Sequence, residues 1–319
     1  MKKGHPLVSI IVPMYNAEKF ISETLVSILH EREISIEAIV VNDKSTDRSL
    51  DRVREFHDER IRVLDGPGCG APGAMNAGLA NARGSIIMIC DSDDLYPGTR
   101  IRSQVRWLDS HPEYDGICGK FTTIDSKGNL IAEMQSGDAA LEITNELING
   151  KLRTSFCTYA IRSSSALRVG GFRDFFEAGY DLDFQLRFGE AGRVVYVPEN
   201  YYFYRLHPSS ITHTQSNVVR QFFERTAFEL QGQRRSCGLD DLQRGCPPLK
   251  PSSNRVSALS ASEHIQGQLL GRAWREHQAG TRLSALRTGA RALAVNPLNF
   301  HAWKSALALL LKSSGDVAS

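Results

Sequence analysis

The chain has 319 residues, 41% hydrophobic and 23% charged, with a formal net charge of +2. That length suits one large α/β domain with a helical appendage, or two medium domains, and the composition excludes disordered and fibrous classes. The charge is uneven, because residues 215–319 hold 14 Lys/Arg against 7 Asp/Glu while the residues before them hold 24 against 29; a basic tail suits anionic lipid headgroups or an acidic partner, or is simply a solvated face.

The start, Met1 to Pro6, carries two lysines, but the apolar run behind it is only Leu7 to Val12 and is closed by Pro13. It is too short for a signal peptide or a spanning helix and reads as a buried first strand. An amphipathic stretch from Glu18 to Leu29 completes a first β-then-α unit. The pattern returns with a strand at Glu37 to Val41, a polar turn at Asn42 to Thr46 and a helix at Asp47 to His57 that Thr46 or Asp47 can cap. Ile61 to Leu64 is a third strand and Gly73 to Asn81 a short helix. Ile86 to Cys90 is a fourth strand, apolar throughout, as befits the middle of a parallel sheet.

Pro97 opens a helix to about Ser110. Phe121 to Glu133 reads as a hairpin around Asp125 to Asn129, where the sheet becomes mixed. Gln231 to Ser262 is rich in Gly, Pro, Ser and Arg and reads as a linker. Three helical patterns follow at 263–278, 282–294 and 298–312, with Leu283, Leu286, Leu293, Trp303, Leu307 and Leu310 expected to form a packed interface. The domain reading is therefore 1–215, a helix and linker at 216–262, and a helical segment at 263–319. The six cysteines show no CxxC pair or regular spacing, so neither disulfides nor zinc are signalled and a reducing cytoplasm is the expected setting.

Alternating strands and helices place ligands beyond the carboxyl ends of the strands. Polar groups gather there: Tyr15 and Asn16 after the first strand, Asn42 and Asp43 after the second, Asp91, Asp93 and Asp94 after the fourth. Carboxylates as close as those of Asp91-Ser92-Asp93-Asp94 repel one another, and a divalent cation shared with substrate phosphates would compensate them. The simpler reading is an acidic helix start before Pro97.

The segments Val8-Ser9-Ile10-Ile11-Val12-Pro13-Met14-Tyr15-Asn16, Asn42-Asp43-Lys44-Ser45-Thr46-Asp47 and Asp91-Ser92-Asp93-Asp94, in that order and spacing, resemble an inverting family 2 glycosyltransferase of the GT-A fold. The similarity continues through Asn76-Ala77-Gly78, Gly170-Gly171-Phe172, Tyr180 to Arg187 and Tyr204-Arg205-Leu206-His207, covering residues 6–215. It implies an α/β protein with a mixed sheet flanked by helices and a C-terminal helical extension. Pro13 and Tyr15 would line a base pocket, Glu37 would lie near the ribose or base, and Asp43 would accept a hydrogen bond from the base. Asp91 and Ser92 would border the nucleotide. Asp93 with Asp91, and Asp94 as a further candidate, would hold Mn²⁺ or Mg²⁺, His207 would reach the metal or diphosphate, and Arg205 would neutralise phosphate.

Asp181 falls where the resemblance puts the general base, and Asp183 reads as a helix N-cap. The implied activity moves a sugar from a nucleotide-diphosphate sugar, UDP-linked, to a glycan or lipid-linked acceptor in polysaccharide or cell-surface glycan synthesis. No nucleic acid partner is expected. The implied location is cytoplasmic, with the tail free to dimerise, to touch the inner membrane face or to recruit a partner.

Three residues depart from the family pattern, and one of them, Asn42, replaces the first acid of an acidic pair whose second member, Asp43, is kept. Lys44 stands where glycine is common, and Met75 where an arginine often helps hold the diphosphate, which shifts phosphate binding toward the metal, Arg205 and the N–H groups of Gly70 or Gly73. These departures motivate an alternative, a catalytically impaired nucleotide-binding or scaffold protein. A nicotinamide-dependent Rossmann enzyme is disfavoured, because Pro13 to Asn16 stands where a GxGxxG turn would be needed.

Overall fold

The computed structural model describes residues 7–134, 136–210, 217–251 and 260–311. The expectations for Met1 to Pro6, for the part of the linker at 252–259 and for the last residue of the final helix lie outside the described residues. The chain divides into two compact units, the first formed by Met1–Phe121, Gln135–Tyr204 and Val218–Ser253, the second by Thr122–Met134, Arg205–Asn217 and Asn254–Ser319.

The first unit begins with β1 (Val8–Met14), α1 (Ile21–Leu29), β2 (Ile36–Asn42), α2 (Ser49–Arg54), β3 (Ile61–Asp65), α3 (Ala71–Asn81), β4 (Ile86–Ile89) and α4 (Arg100–Ser110). Then come β5 (Gly116–Ile124), which runs on into the second unit to pair with β6 (Leu130–Glu133), and β7 (Leu141–Glu142), α5 (Thr144–Ile148), β8 (Ala160–Arg162), α6 (Ser163–Val169), α7 (Tyr180–Ala191), β9 (Val194–Arg205) and α8 (Asn217–Cys237). The sheet order is β3-β2-β1-β4-β8-β5-β9-β7. The first four strands are mutually parallel, whereas β8 runs antiparallel to β4 and β5, so the sheet is mixed as expected.

The central strands β1, β2 and β4 are buried on nearly every residue because both faces are covered. Ile10, Val12, Ala38, Val40 and Met88 face one layer, with Ile21, Leu25 and Ile28 of α1 and Val105 of α4. Ile11, Ile39, Val41, Ile87 and Ile89 face the other, with Ala74 and Met75 of α3 and Phe184 and Phe188 of α7. Each Val, Leu, Ile, Phe or Met side chain among these contributes roughly 1.5–3 kcal/mol when fully buried. Gly78 lets α3 approach this closely, since a Cβ there would lie 2.4 Å from Ile11 Cγ2.

Several sequence expectations are corrected. Pro13 lies inside β1 and does not close it. Ile11 C=O accepts from Cys90 N–H on the β4 side, so Pro13 turns its donorless nitrogen to that side beyond Ile89, where β4 has ended. Helix α2 starts at Ser49, while Asp47 accepts from the amides of both Ser49 (2.9 Å) and Glu18 (3.1 Å). Pro97 precedes α4 by two further residues. Helix α8 continues through Cys237 into what reads as linker, and Asp240 just beyond it is fully buried.

In the second unit β5 and β6 form the expected hairpin, with the Asp125 carboxylate accepting from Lys127 and Asn129 N–H, both at 2.9 Å. The unit's helices are α9 (Ala261–Gln278), α10 (Arg282–Val295) and α11 (Phe300–Leu311), the first opened by a Ser260–Glu263 capping box. Arg272 donates to the Ile131 carbonyl (3.1 Å), tying α9 to the hairpin. The helical interface is built from smaller residues than expected: Leu269, Ala273, Ala285, Gly289, Ala292, Ala302 and Leu309 are buried, while Leu283, Trp303, Leu307 and Leu310 are exposed.

Candidate active site

The carboxyl ends of β1 and β2 are laced together. Asn16, with φ of 51°, donates its N–H to Ser45 Oγ (3.1 Å), its Oδ1 accepts from Thr46 N–H (2.8 Å), and Asp43 N–H donates to Met14 C=O (2.8 Å). Tyr15 stands out from this frame with 62% of its surface exposed, as a ring available for stacking must. Lys44 adopts φ of 64°, which explains why glycine suits this position. Lys44→Gly is expected to raise stability by roughly 1 kcal/mol, from relief of the left-handed backbone, provided the glycine's extra unfolded-state entropy is the smaller effect; urea denaturation of the two proteins checks it, and a lowered midpoint would refute it.

The Asp43 carboxylate accepts from Gly68 N–H (2.6 Å) and Gly70 N–H (2.8 Å), and so holds the loop after β3 against the β2 end. The Gly70 amide is thereby committed, which corrects its proposed use for phosphate, while Gly73 lies in the first turn of α3, where amides lack helical partners. Glu37 is also corrected. It sits at the amino end of β2 opposite Ser9, six residues or roughly 20 Å of strand from Asp43. There its carboxylate is engaged by Ser9 Oγ (2.6 Å), Arg83 N–H (2.8 Å) and the Arg62 guanidinium. It closes the far end of the sheet.

After β4 the acidic turn 91–94 is closed by Asp94 N–H donating to Asp91 C=O at 3.1 Å. Asp91 and Asp93 are partly exposed, whereas Ser92 and Asp94 are buried, so the turn points Asp94 inward and away from any shared ligand. Thr24 Oγ1 donates to the Asp94 (2.8 Å) and Ser92 (3.1 Å) carbonyls, and Asp91 N–H donates to Tyr202 Oη at 2.9 Å. Beneath it Arg100 is fully buried, 3.9 Å from the Tyr96 ring centre and bonded to the Cys157 carbonyl at 2.7 Å. Sequence reading missed Tyr202, Thr24 and Arg100, because each acts across a separation that no local pattern encodes.

Asp181 lies in the first turn of α7, behind the Gly179 N-cap. Asp91 lies within electrostatic reach of both Asp93 and Asp181. Burial, then the charges of Asp93 and Asp181, push the Asp91 carboxyl up to about 7. Burial also raises Asp181, only partly opposed by the amides of Leu182 and its own residue.

Asp183 is not a cap but a fully buried anion inside α7, bonded by Arg173 and Arg187. Arg187 also donates to the Val169 and Gly171 carbonyls, both at 2.8 Å. Asn76 exchanges two bonds with the backbone of Phe172, at 2.7 and 2.8 Å, and a Cβ at Gly171 (φ 72°) would lie 2.6 Å from Asn76 Oδ1. The Asn-Ala-Gly, Gly-Gly-Phe and Tyr180–Arg187 segments thus form one brace that orients the start of α7. Arg205 and His207 belong to the second unit. Within it Arg205 is fully buried and donates to the Ser126 carbonyl (3.1 Å), and His207 Nδ1 lies 2.9 Å from Ser209 Oγ.

Among the described residues no three His, Cys, Asp or Glu side chains are grouped to hold a metal ion. The Asp91–Asp93 pair, in which the Asp93 charge acts on the Asp91 carboxyl, fits a cation of the Mg²⁺ type, which takes one or two carboxylates and completes its shell with phosphate and water.

The glycosyl transferase family 2 model matches residues 9–177. The chain is 32% identical to the uncharacterized glycosyltransferase EpsJ of Bacillus subtilis over 65% of its own length and 63% of EpsJ. It is 40% identical over 32% of its length to Escherichia coli WfgD, named as a UDP-Glc:α-D-GlcNAc-diphosphoundecaprenol β-1,3-glucosyltransferase, of which it spans 41%. The structure of S. aureus TarS 1-349 in complex with UDP-GlcNAc superposes with a TM-score of 0.60 at 17% identity, over 96% of this chain and 88% of TarS. With that domain match and that mixed sheet, the chain belongs to glycosyl transferase family 2 and has the GT-A fold.

Proposed function

We propose that this glycosyltransferase transfers a hexose from a UDP-sugar, with inversion, to a hydroxyl of a glycan or lipid-linked acceptor in cell-surface glycan synthesis. The observation that supports the reading is that Asp91 and Asp93, at the end of β4, and Asp181, at the start of α7, lie near enough for the charges of Asp93 and Asp181 to act on the Asp91 carboxyl. The donors named for WfgD and TarS favour UDP, and WfgD's acceptor favours a lipid diphosphate.

Tyr15 offers a ring for the base at the β1–β2 frame, with Pro13 beside it in β1. Asp43 shapes the adjoining wall through Gly68 and Gly70 and has lone pairs left for a base N–H. Asp91 and Asp93 would hold Mn²⁺ or Mg²⁺ against the diphosphate, and the bound ion would supply charge neutralisation for the departing UDP. Asp181, its basicity raised by burial, takes the acceptor proton as the acceptor oxygen bonds to the anomeric carbon and the carbon–oxygen bond to the diphosphate breaks on the opposite face. A single displacement inverts the centre.

The test is UDP release and product formation with UDP-glucose, UDP-GlcNAc and a sugar-diphosphate lipid acceptor, in Mn²⁺, Mg²⁺ or a chelator. Metal-dependent release of UDP with one donor and an inverted linkage is expected. Absence of turnover with every donor and acceptor would favour the non-catalytic nucleotide-binding or scaffold alternative, for which Lys44 and Met75, the latter buried in the core, are the motive.

A further inference from the structure

In the second unit one side of α11 is apolar and exposed among the described residues. Phe300, Trp303, Leu307 and Leu310 are 68%, 44%, 52% and 49% exposed, and their spacing places them on a single stripe of the helix. Arg282 at the start of α10 donates to the Leu310 carbonyl at 2.7 Å, which brings Leu283, 64% exposed, to the end of that stripe. Lys304 lies along its edge, with its Nζ 4.9 Å from the Phe300 ring centre.

The charge beside this face has one sign. From residue 277 to 311 the sequence contains no Asp or Glu, while Arg282, Arg287 and Lys304 are cationic; Arg291 is turned instead to the Leu130 carbonyl (3.2 Å) of the hairpin.

We infer that this face of α10 and α11 docks on an anionic lipid bilayer. A stripe of Phe, Trp and Leu flanked by Lys and Arg is what lies in the plane of a headgroup layer, with the rings at the acyl boundary and the cations among the phosphates. A second copy of the chain would oppose these cations with the same cations, and nothing acidic in the segment relieves that repulsion. The surface potential of an anionic leaflet does relieve it. Among the described residues no helix is long and apolar enough to cross a membrane, so the contact is interfacial. The inference does not depend on which sugar is transferred or on whether transfer occurs.

Co-sedimentation of the full chain with vesicles of phosphatidylcholine alone, or with added phosphatidylglycerol, tests it. Binding to the anionic vesicles is expected to exceed binding to the neutral ones by about tenfold or more and to weaken with salt. Trp303→Ser with Leu307→Ser should lower binding to the anionic vesicles by about tenfold or more, since each tenfold step needs only about 1.4 kcal/mol of lost apolar transfer. Arg287→Gln with Lys304→Gln should abolish most of the preference for anionic lipid. All four residues are exposed, and unchanged thermal transitions establish that the variants fold. Equal or absent binding to the two vesicle types overturns the inference. So does wild-type vesicle binding by the apolar double variant, or a shift of that variant from dimer to monomer without any vesicle effect, which would make the face a contact between copies.

Discussion

Asp181→Asn is expected to lower the turnover number by about 10²–10⁴-fold, the range lost with a positioned general base, while the affinity for the UDP-sugar stays close to that of the parent. Asparagine keeps the size and most of the hydrogen bonding of the side chain but cannot accept the proton of the acceptor hydroxyl. Tyr15 and Asp43, which frame the proposed base site, are on other elements and are untouched. The split between turnover and donor binding separates a base from a group that merely shapes the pocket. Single-turnover transfer and donor titration of the same protein read the two quantities, and an unchanged turnover number would remove Asp181 from the mechanism. Because the Asp91 carboxyl is pushed up to about 7 first by burial, then by the Asp93 charge and last by the Asp181 charge, the same substitution should lower the Asp91 carboxyl by only the smallest of these three effects. Carboxyl chemical shifts followed by NMR through a pH titration would show it.

The second large effect concerns stability. Arg173 lies between two fully buried carboxylates, bonded to Asp183 and, at 2.6 Å, to Asp240, whose second guanidinium partner is Arg234 at 2.5 Å. Arg173→Met leaves part of that negative charge buried without compensation, and a loss of about 3–5 kcal/mol is expected. Adding Asp240→Leu should restore part of it, since Asp183 keeps Arg187 and Arg234 keeps Glu190. Chemical denaturation at neutral pH reads both values, and a cost below about 1 kcal/mol for the single variant, the scale of a surface pair, would show that the network is not a structural element.

The pH dependence has a definite sign. Burial opposes ionisation of Asp240, but the hydrogen bonds from Arg173, Gln243 N–H and Arg234 outweigh it and hold the carboxyl below its ordinary value. A depressed carboxylate stabilises the fold above the unfolded value, near about 3.9, and that contribution is lost as pH falls through the folded one. The gap between parent and Arg173→Met should therefore be widest above about pH 4 and narrow below it.

Much of the fold was legible because β1, β2 and β4 are β-branched apolar runs with no other stable use than burial between two layers. Asp91 and Asp93 stand out in the sequence by their place after β4, and Asp181 only through the family resemblance. What stayed hidden depends on distance in sequence. Asp183 looks like a cap until Arg173, ten residues back, and Arg187, four residues on, are seen to enclose it. Asp240 looks like linker until its burial is known, and Glu37 looks like a site residue until the parallel register sets it beside Ser9. In the tail, apolar content alone did not reveal that alanine and glycine make the helix contacts and that the larger side chains are left outside.

The lacing of the β1 and β2 ends by Asn16, Ser45, Thr46 and Asp43 has a thermodynamic consequence for the incoming donor. Ordering a backbone residue costs about 1–2 kcal/mol of entropy, and here that cost is met when the chain folds and not when the ligand arrives. The mouth of the crevice is a mould already set, so little of the donor's contact energy is diverted into shaping the protein around it.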